Sequence, residues 1–148
     1  PRPQPASMVE RYFSVLPRVK QYLDESIKTA KAAGCTRSIF GRVRPLAEVS
    51  TVEGRGNNPL DRVAVNTPIQ SSASDIAKIA LMRFHDVVKK EFTDARIVLQ
   101  IHDSIVCECR SEDADEVEKR LVEAMVGVSV LSVPVKAQPK RGNSLKEV

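Results

Sequence analysis

Between Met8 and Ala33 apolar residues recur at steps of three and four: Val9, Phe13, Leu16, Val19, Leu23 and Ile27. That stripe predicts an amphipathic helix, with Gly34 as its stop. Pro17 falls inside it, so a kink or a junction of two helices is expected near Phe13. The next stretch, "TRSIFGRVRPLAEV", alternates short β-prone runs around Phe40 and Gly41, and Pro45 withholds a ladder donor. A small exposed hairpin is the expected form. "STVEGRGNNP" reads as a loop rich in Gly and Asn. The longest helical pattern starts at Asp61 and ends at Phe92. Pro68 is expected to break it, with Ile69, Ile76, Ile79, Ala80 and Phe84 forming a buried face after the break.

Residues 95 to 101 and 105 to 109 are two apolar, strand-like runs separated only by His102, Asp103 and Ser104. Runs this close predict an antiparallel hairpin. Ser111 stands before an acidic first turn in "EDADEVEKRLVEAMVG", where Val117, Leu121 and Met125 share a face and Gly127 ends the run. This is the pattern of a capped helix. "VPVKAQP" reads as a last strand before a basic tail. The order of helices and hairpins predicts an α+β fold, a small antiparallel sheet with a His-Asp hairpin, packed with amphipathic helices.

With 148 residues, 42% hydrophobic and 28% charged, the chain suits one compact soluble domain and excludes wholesale disorder. No run of apolar residues is long enough to span a membrane, and the first residues lack the layout of a signal peptide. Residues 1–7, with three prolines in the first five, read as a linker or a cut end. The odd count of three cysteines fits a reducing, cytoplasmic compartment. Charge is uneven: residues 1 to 62 hold 11 Lys+Arg against 6 Asp+Glu, the remainder 12 against 13. The basic half is where a phosphate-bearing partner would be sought, although a solvated face explains the charge equally well.

Three groups of residues could carry chemistry. Asp103 interrupts an apolar hairpin, and desolvating an unpaired carboxylate is costly, so its site should supply a cation, a hydrogen-bond network or water. Mg²⁺ prefers such hard oxygen ligands, but Asp and Ser also favour tight turns for their own reasons. Arg62, Asn66 and Gln70 recur every four residues. On an intact helix they would line one face and could test a duplex minor groove, whose acceptors sit at similar positions in every base pair. The same spacing also describes an ordinary solvent face. Arg42 and Arg44 lie on one side of the first hairpin and could meet phosphates. Cys107 and Cys109 share a side of their strand, where small buried hydrophobes explain them better than a metal pair.

Taken in order, "ERYFSVLPRVKQYL", "TRSIFGRVRPL", "RVAVNTPIQSSASDIAKIAL", "LQIHDSIVCE" and "VPVKAQPKRG" resemble the C-terminal part of the family A DNA polymerases, the bacterial DNA polymerase I type. The resemblance implies that residues 8–148 are the fingers/palm portion of a polymerase domain. It implies template-directed nucleotidyl transfer to a primer 3′-hydroxyl, with Asp103 as a catalytic carboxylate on two Mg²⁺ ions and His102 at the primer end. Arg62, Asn66 and Gln70 would touch template and primer, and Arg42 and Arg44 the DNA. Primer-template DNA and an incoming dNTP are the implied partners. Two departures stand out: Ser104 where the family usually has Glu, and Ser71 where it usually has Gly. The motif with the second essential Asp and the residues that hold the triphosphate would lie upstream of Pro1. The chain alone is therefore expected to be inactive and to self-associate through apolar surface. The alternative is a non-catalytic module that binds primer-template DNA without regard to sequence.

Overall fold

A computed structural model describes residues 5–47, 58–128 and 131–147. Two helices come first, α1 (Pro5–Val15) and α2 (Pro17–Ala33), followed by strands β1 (Cys35–Arg37) and β2 (Val43–Pro45). A long helix, α3 (Pro59–Glu91), precedes strands β3 (Arg96–Ile101) and β4 (Ser104–Glu108), a 3₁₀ turn over Ser111–Asp113, and α4 (Ala114–Val126). Mixed helices and two small antiparallel sheets make this the α+β arrangement expected. The chain divides into two compact units, Pro1–Ser72 and Ala73–Val148. Among the described residues no helix is long and apolar enough to cross a membrane.

In the first unit the expected helix junction falls at Leu16, where φ −122° and ψ 62° leave the helical region and Pro17 opens α2 at its first position. Proline disfavours the helical conformation in the residue before it and has no N–H to lose at a helix start. Gly34, at φ 64°, ends α2 in the left-handed conformation that glycine adopts without a Cβ penalty. The apolar stripe of α1 and α2 is present but mostly uncovered: Val9, Leu16 and Val19 are exposed. Its C-terminal end alone finds a core, where Ile27 packs on Ala30, Leu46 and Ala64. The short hairpin pairs Cys35 with Pro45 and Arg37 with Val43. Most of the predicted Gly- and Asn-rich loop lies outside the described residues.

The largest correction concerns Pro68, which lies inside α3 without ending it. A continuous helix keeps Ile69 three residues from Asn66 and seven from Arg62, hence on their face, and Ile69 is 59% exposed rather than buried. The rest of the predicted face behaves as expected. Ala80 and Phe84 are buried, with Ile76 and Ile79 packed against them.

The core of the second unit gathers Ala80, Phe84, Val88, Ala95, Ile105, Val117, Ala124 and Val128. Antiparallel β3 and β4 run from Arg96 opposite Glu108 to Ile101 opposite Ser104, with Val98 an extra residue where the register shifts. The hairpin is less buried than its composition suggested. Ile105 is inside, while Val98, Leu99 and Ile101 are exposed. Ser111 does not cap α4; it opens the 3₁₀ turn, and Asp113 stands at the helix start without a side-chain cap. Gly127 does end α4, and its carbonyl accepts Arg83 Nη1 at 2.7 Å. The predicted last strand is absent, since residues 133 to 139 have no ladder partner among the described residues. Pro134 and Pro139 also remove two donors from that stretch. The tail is held instead by Arg141, which donates to Asp115 at 2.7 Å and Glu118 at 2.5 Å on α4.

Candidate functional site

The sequence-derived candidates fall in both units, and each group stands on its own geometry. In the second unit Ile101 pairs directly with Ser104, so His102 and Asp103 form a two-residue connection at the tip. Such tight hairpins need positive φ at a central position, and His102 supplies it at φ 54°. It is the one non-glycine residue in that region among the described residues. Strain of this kind persists where the flanking structure over-determines it, here two paired strands anchored through Ile105. The Gln100 side chain reaches back and donates Nε2 to the His102 carbonyl at 3.5 Å. Its signal in the sequence is a single polar residue inside an apolar run.

The Asp103 carboxylate is exposed and makes no hydrogen bond or ion pair with any described residue. It is not tied into the turn by its own backbone, and its oxygens are open to a cation. Ser104, next to it, is a strand residue whose side chain offers a hydroxyl and no charge. No group of three or more His, Cys, Asp or Glu side chains among the described residues could hold a metal ion. Asp103 therefore fits Mg²⁺ as a single hard-oxygen ligand, and any further protein ligand must come from elsewhere.

In the first unit Arg62, Asn66 and Gln70 are all exposed, while Ala64 and Thr67 of the same helix are buried. The three side chains thus share an outward face of α3, as their spacing required once Pro68 failed to break it. Asn58 starts the helix, its Oδ1 accepting the Leu60 N–H at 3.0 Å. Arg42 and Arg44 are exposed on the hairpin that packs beside this helix. Arg44 is already engaged through Nη1, which donates to Thr67 Oγ1 at 3.2 Å. The turn between the strands is organised by Ser38, whose Oγ accepts the N–H groups of Phe40 and Arg42 at 3.2 and 3.1 Å. Cys107 and Cys109 are free thiols packed against the core, as small hydrophobes would be. Burial, with Cys109 adding to it, pushes the Cys107 thiol up to about 11.

Residues 1–147 match the family model described as DNA polymerase family A. The chain belongs to this family. A DNA polymerase I from Caldicellulosiruptor bescii is 31% identical over 95% of the chain and 17% of its own length. The enzyme of the same name from Geobacillus stearothermophilus is 34% identical over 91% of the chain and 15% of its own. Among solved structures, the POL domain of Pol1 from M. smegmatis, in complex with DNA primer-template and dNTP, superposes with a TM-score of 0.80 at 31% identity. That match covers 88% of this family A chain and 23% of the other. The chain spans less than a fifth of the curated relatives and about a quarter of the structural neighbour.

Proposed function

We propose that residues 8–148 are the C-terminal fingers/palm portion of a DNA-directed DNA polymerase, acting in template-directed nucleotidyl transfer to a primer 3′-hydroxyl. The observation that carries this reading is the Asp103 carboxylate, exposed and unpartnered at the tip of a rigid two-residue turn, in a chain of family A. Asp103 would supply one oxygen to Mg²⁺, and His102 would stand at the primer end. When bound, the pair of Mg²⁺ ions lowers the barrier by activating the attacking oxygen and stabilising the leaving one. Arg62, Asn66 and Gln70 would follow the primer-template duplex, the amides at the minor groove and Arg62 on phosphate. Arg42 and Arg44 would add phosphate contacts from the neighbouring hairpin. An incoming dNTP is the remaining partner, held by residues outside this chain. The free thiols suit a cytoplasmic protein.

A single carboxylate leaves two metal ions short of protein ligands, so the isolated chain is inactive in this reading. Primer extension by the 148 residues alone with dNTP and Mg²⁺ would overturn that part. The catalytic role is tested in a polypeptide that also carries the upstream polymerase motifs. There Asp103→Asn should lower the extension rate by about a hundredfold or more, since a metal ligand supports several kcal/mol of transition-state stabilisation. Unchanged extension removes Asp103 from the mechanism.

Ser104 favours a second reading, a module that binds primer-template DNA without catalysis. In that case a glutamate at 104 gains nothing, and duplex affinity, independent of sequence, falls steeply as salt rises. The exposed apolar side chains of α1, Met8, Val9, Tyr12 and Val15, support self-association of the isolated chain.

A further inference from the structure

Pro68 has no N–H, so the Ala64 carbonyl one turn earlier loses its helical partner. Ala64 is fully buried at 0% exposure, which leaves water no access to replace the bond. A buried acceptor without a partner is costly, and nearly all such groups are satisfied. Here the donor comes from another element. Thr36 Oγ1, on β1 and itself buried, donates to Ala64 O at 3.5 Å. The contact is long, and its value lies in sparing the acceptor rather than in its own strength.

Two further bonds tie the same hairpin to the same stretch of α3. Arg44 Nη1 donates to Thr67 Oγ1 at 3.2 Å, and the Ile39 N–H donates to Ser72 Oγ at 3.0 Å. The Ser72 hydroxyl in turn donates to the Pro68 carbonyl. Thus β1, the turn and β2 each reach α3 within one turn or so of the proline, and all of these residues belong to the first unit.

We propose that Thr36 is a positioning residue: its hydroxyl stands in for the N–H that Pro68 lacks and, with the β1–β2 hairpin, splints α3 so that Arg62, Asn66 and Gln70 keep a common face. Its effect on DNA rests on the reading of that face given above; its effect on the helix does not. Arg44 accordingly has an inward duty to Thr67 in addition to any phosphate it meets.

A cycle of variants in the 148-residue chain separates these. Thr36→Val keeps shape and removes the hydroxyl, Thr36→Ser keeps the hydroxyl, and Pro68→Ala restores the N–H to Ala64. Hydrogen exchange of the amides from residue 65 to residue 72 reads helix continuity. Thr36→Val should speed exchange there roughly tenfold, Thr36→Ser should stay close to the parent, and Thr36→Val should be silent in the Pro68→Ala background. Should Thr36→Val prevent folding, recovery of the fold by Pro68→Ala supports the splint and failure to recover it overturns it. Parent-like exchange in Thr36→Val, or an equal effect in both backgrounds, also overturns it. A fluorescent primer-template duplex supplies the second arm, with Arg62→Ala as reference. Weaker binding in Thr36→Val that returns with Pro68→Ala extends the splint to DNA. If Arg62→Ala binds like the parent while the exchange cycle shows coupling, the interface reading fails and the splint stands.

Discussion

Replacing His102 by Gly should stabilise the second unit while stripping the hairpin tip of its imidazole. At φ 54° the His102 backbone lies where a Cβ crowds its neighbouring carbonyl, at a cost of about 1–2 kcal/mol for an L residue. Histidine tolerates this region better than most, which points to the lower end of that range. The side chain is exposed, so its loss forfeits little packing. Against the relief stands the larger freedom of glycine in the unfolded chain, about 0.5–1 kcal/mol. The net change is a gain of at most about 0.5 kcal/mol, with His102→Ala, which keeps the penalty, as the control. Urea unfolding followed by circular dichroism reads the difference, and the Gly variant should unfold at a higher midpoint than the Ala variant with an unchanged slope. A Gly variant less stable than the Ala variant would show that the strain is smaller than the freedom glycine gains on unfolding, and would refute the predicted gain. In a polypeptide competent for primer extension both variants should lose activity alike, because both lack the imidazole assigned to the primer end. The active site would then hold a residue that the fold would rather replace.

Three other outcomes follow from particular side chains. The folded Cys107 thiol ionises near 11 against 9.0 in an unfolded chain, so its contribution is intact below pH 9 and fades as pH rises toward 11. Melting temperatures across that window should fall more steeply for the parent than for Cys107→Ala, and parallel curves would refute the assignment. Arg141→Gln removes both ion pairs that hold the tail to α4, and trypsin should then cut after Lys136 and Lys140 several-fold faster; unchanged cleavage would mean the tail is held otherwise. Light scattering of the isolated chain at high concentration should show association, weakened by Val9→Lys and Val15→Lys on the exposed side of α1. A monodisperse parent would count against that surface.

Local chemistry explains what could be read from the chain. Pro17 and Gly34 act on their immediate neighbours, so the end of α2 at Gly34 was legible to the residue, while the junction expected near Phe13 falls three residues later, at Leu16. The tip at His102 and Asp103 was legible because two apolar runs separated by three residues have few ways to pair. What escaped depended on distant partners. Pro68 lies within one turn of contacts from a distant hairpin, among them the Thr36 hydroxyl, 28 residues from Ala64, and the placement of Ile69 follows from the helix continuing. Ser111 had the right identity for a cap, but the backbone turned through a 3₁₀ step before α4 began. The stripe on α1 and α2 was legible as a pattern, and its exposure was not, since a pattern states which face is apolar and not what covers it. For the candidate site, the alignment of Arg62, Asn66 and Gln70 was legible only on the condition that the helix continued.

The additional residue at Val98 has an arithmetical effect on the tip. Below it Ile97 faces Cys107; above it Leu99 faces Val106. Were Val98 paired rather than extra, the ladder would continue in step, Gln100 would face Ser104, and three residues would have to make the turn. The insertion changes that odd number to an even one and leaves His102 and Asp103 alone at the apex. Substitutions along β3 can therefore accumulate, but a change that drew Val98 into the ladder would alter the parity of the turn and point the carboxylate elsewhere.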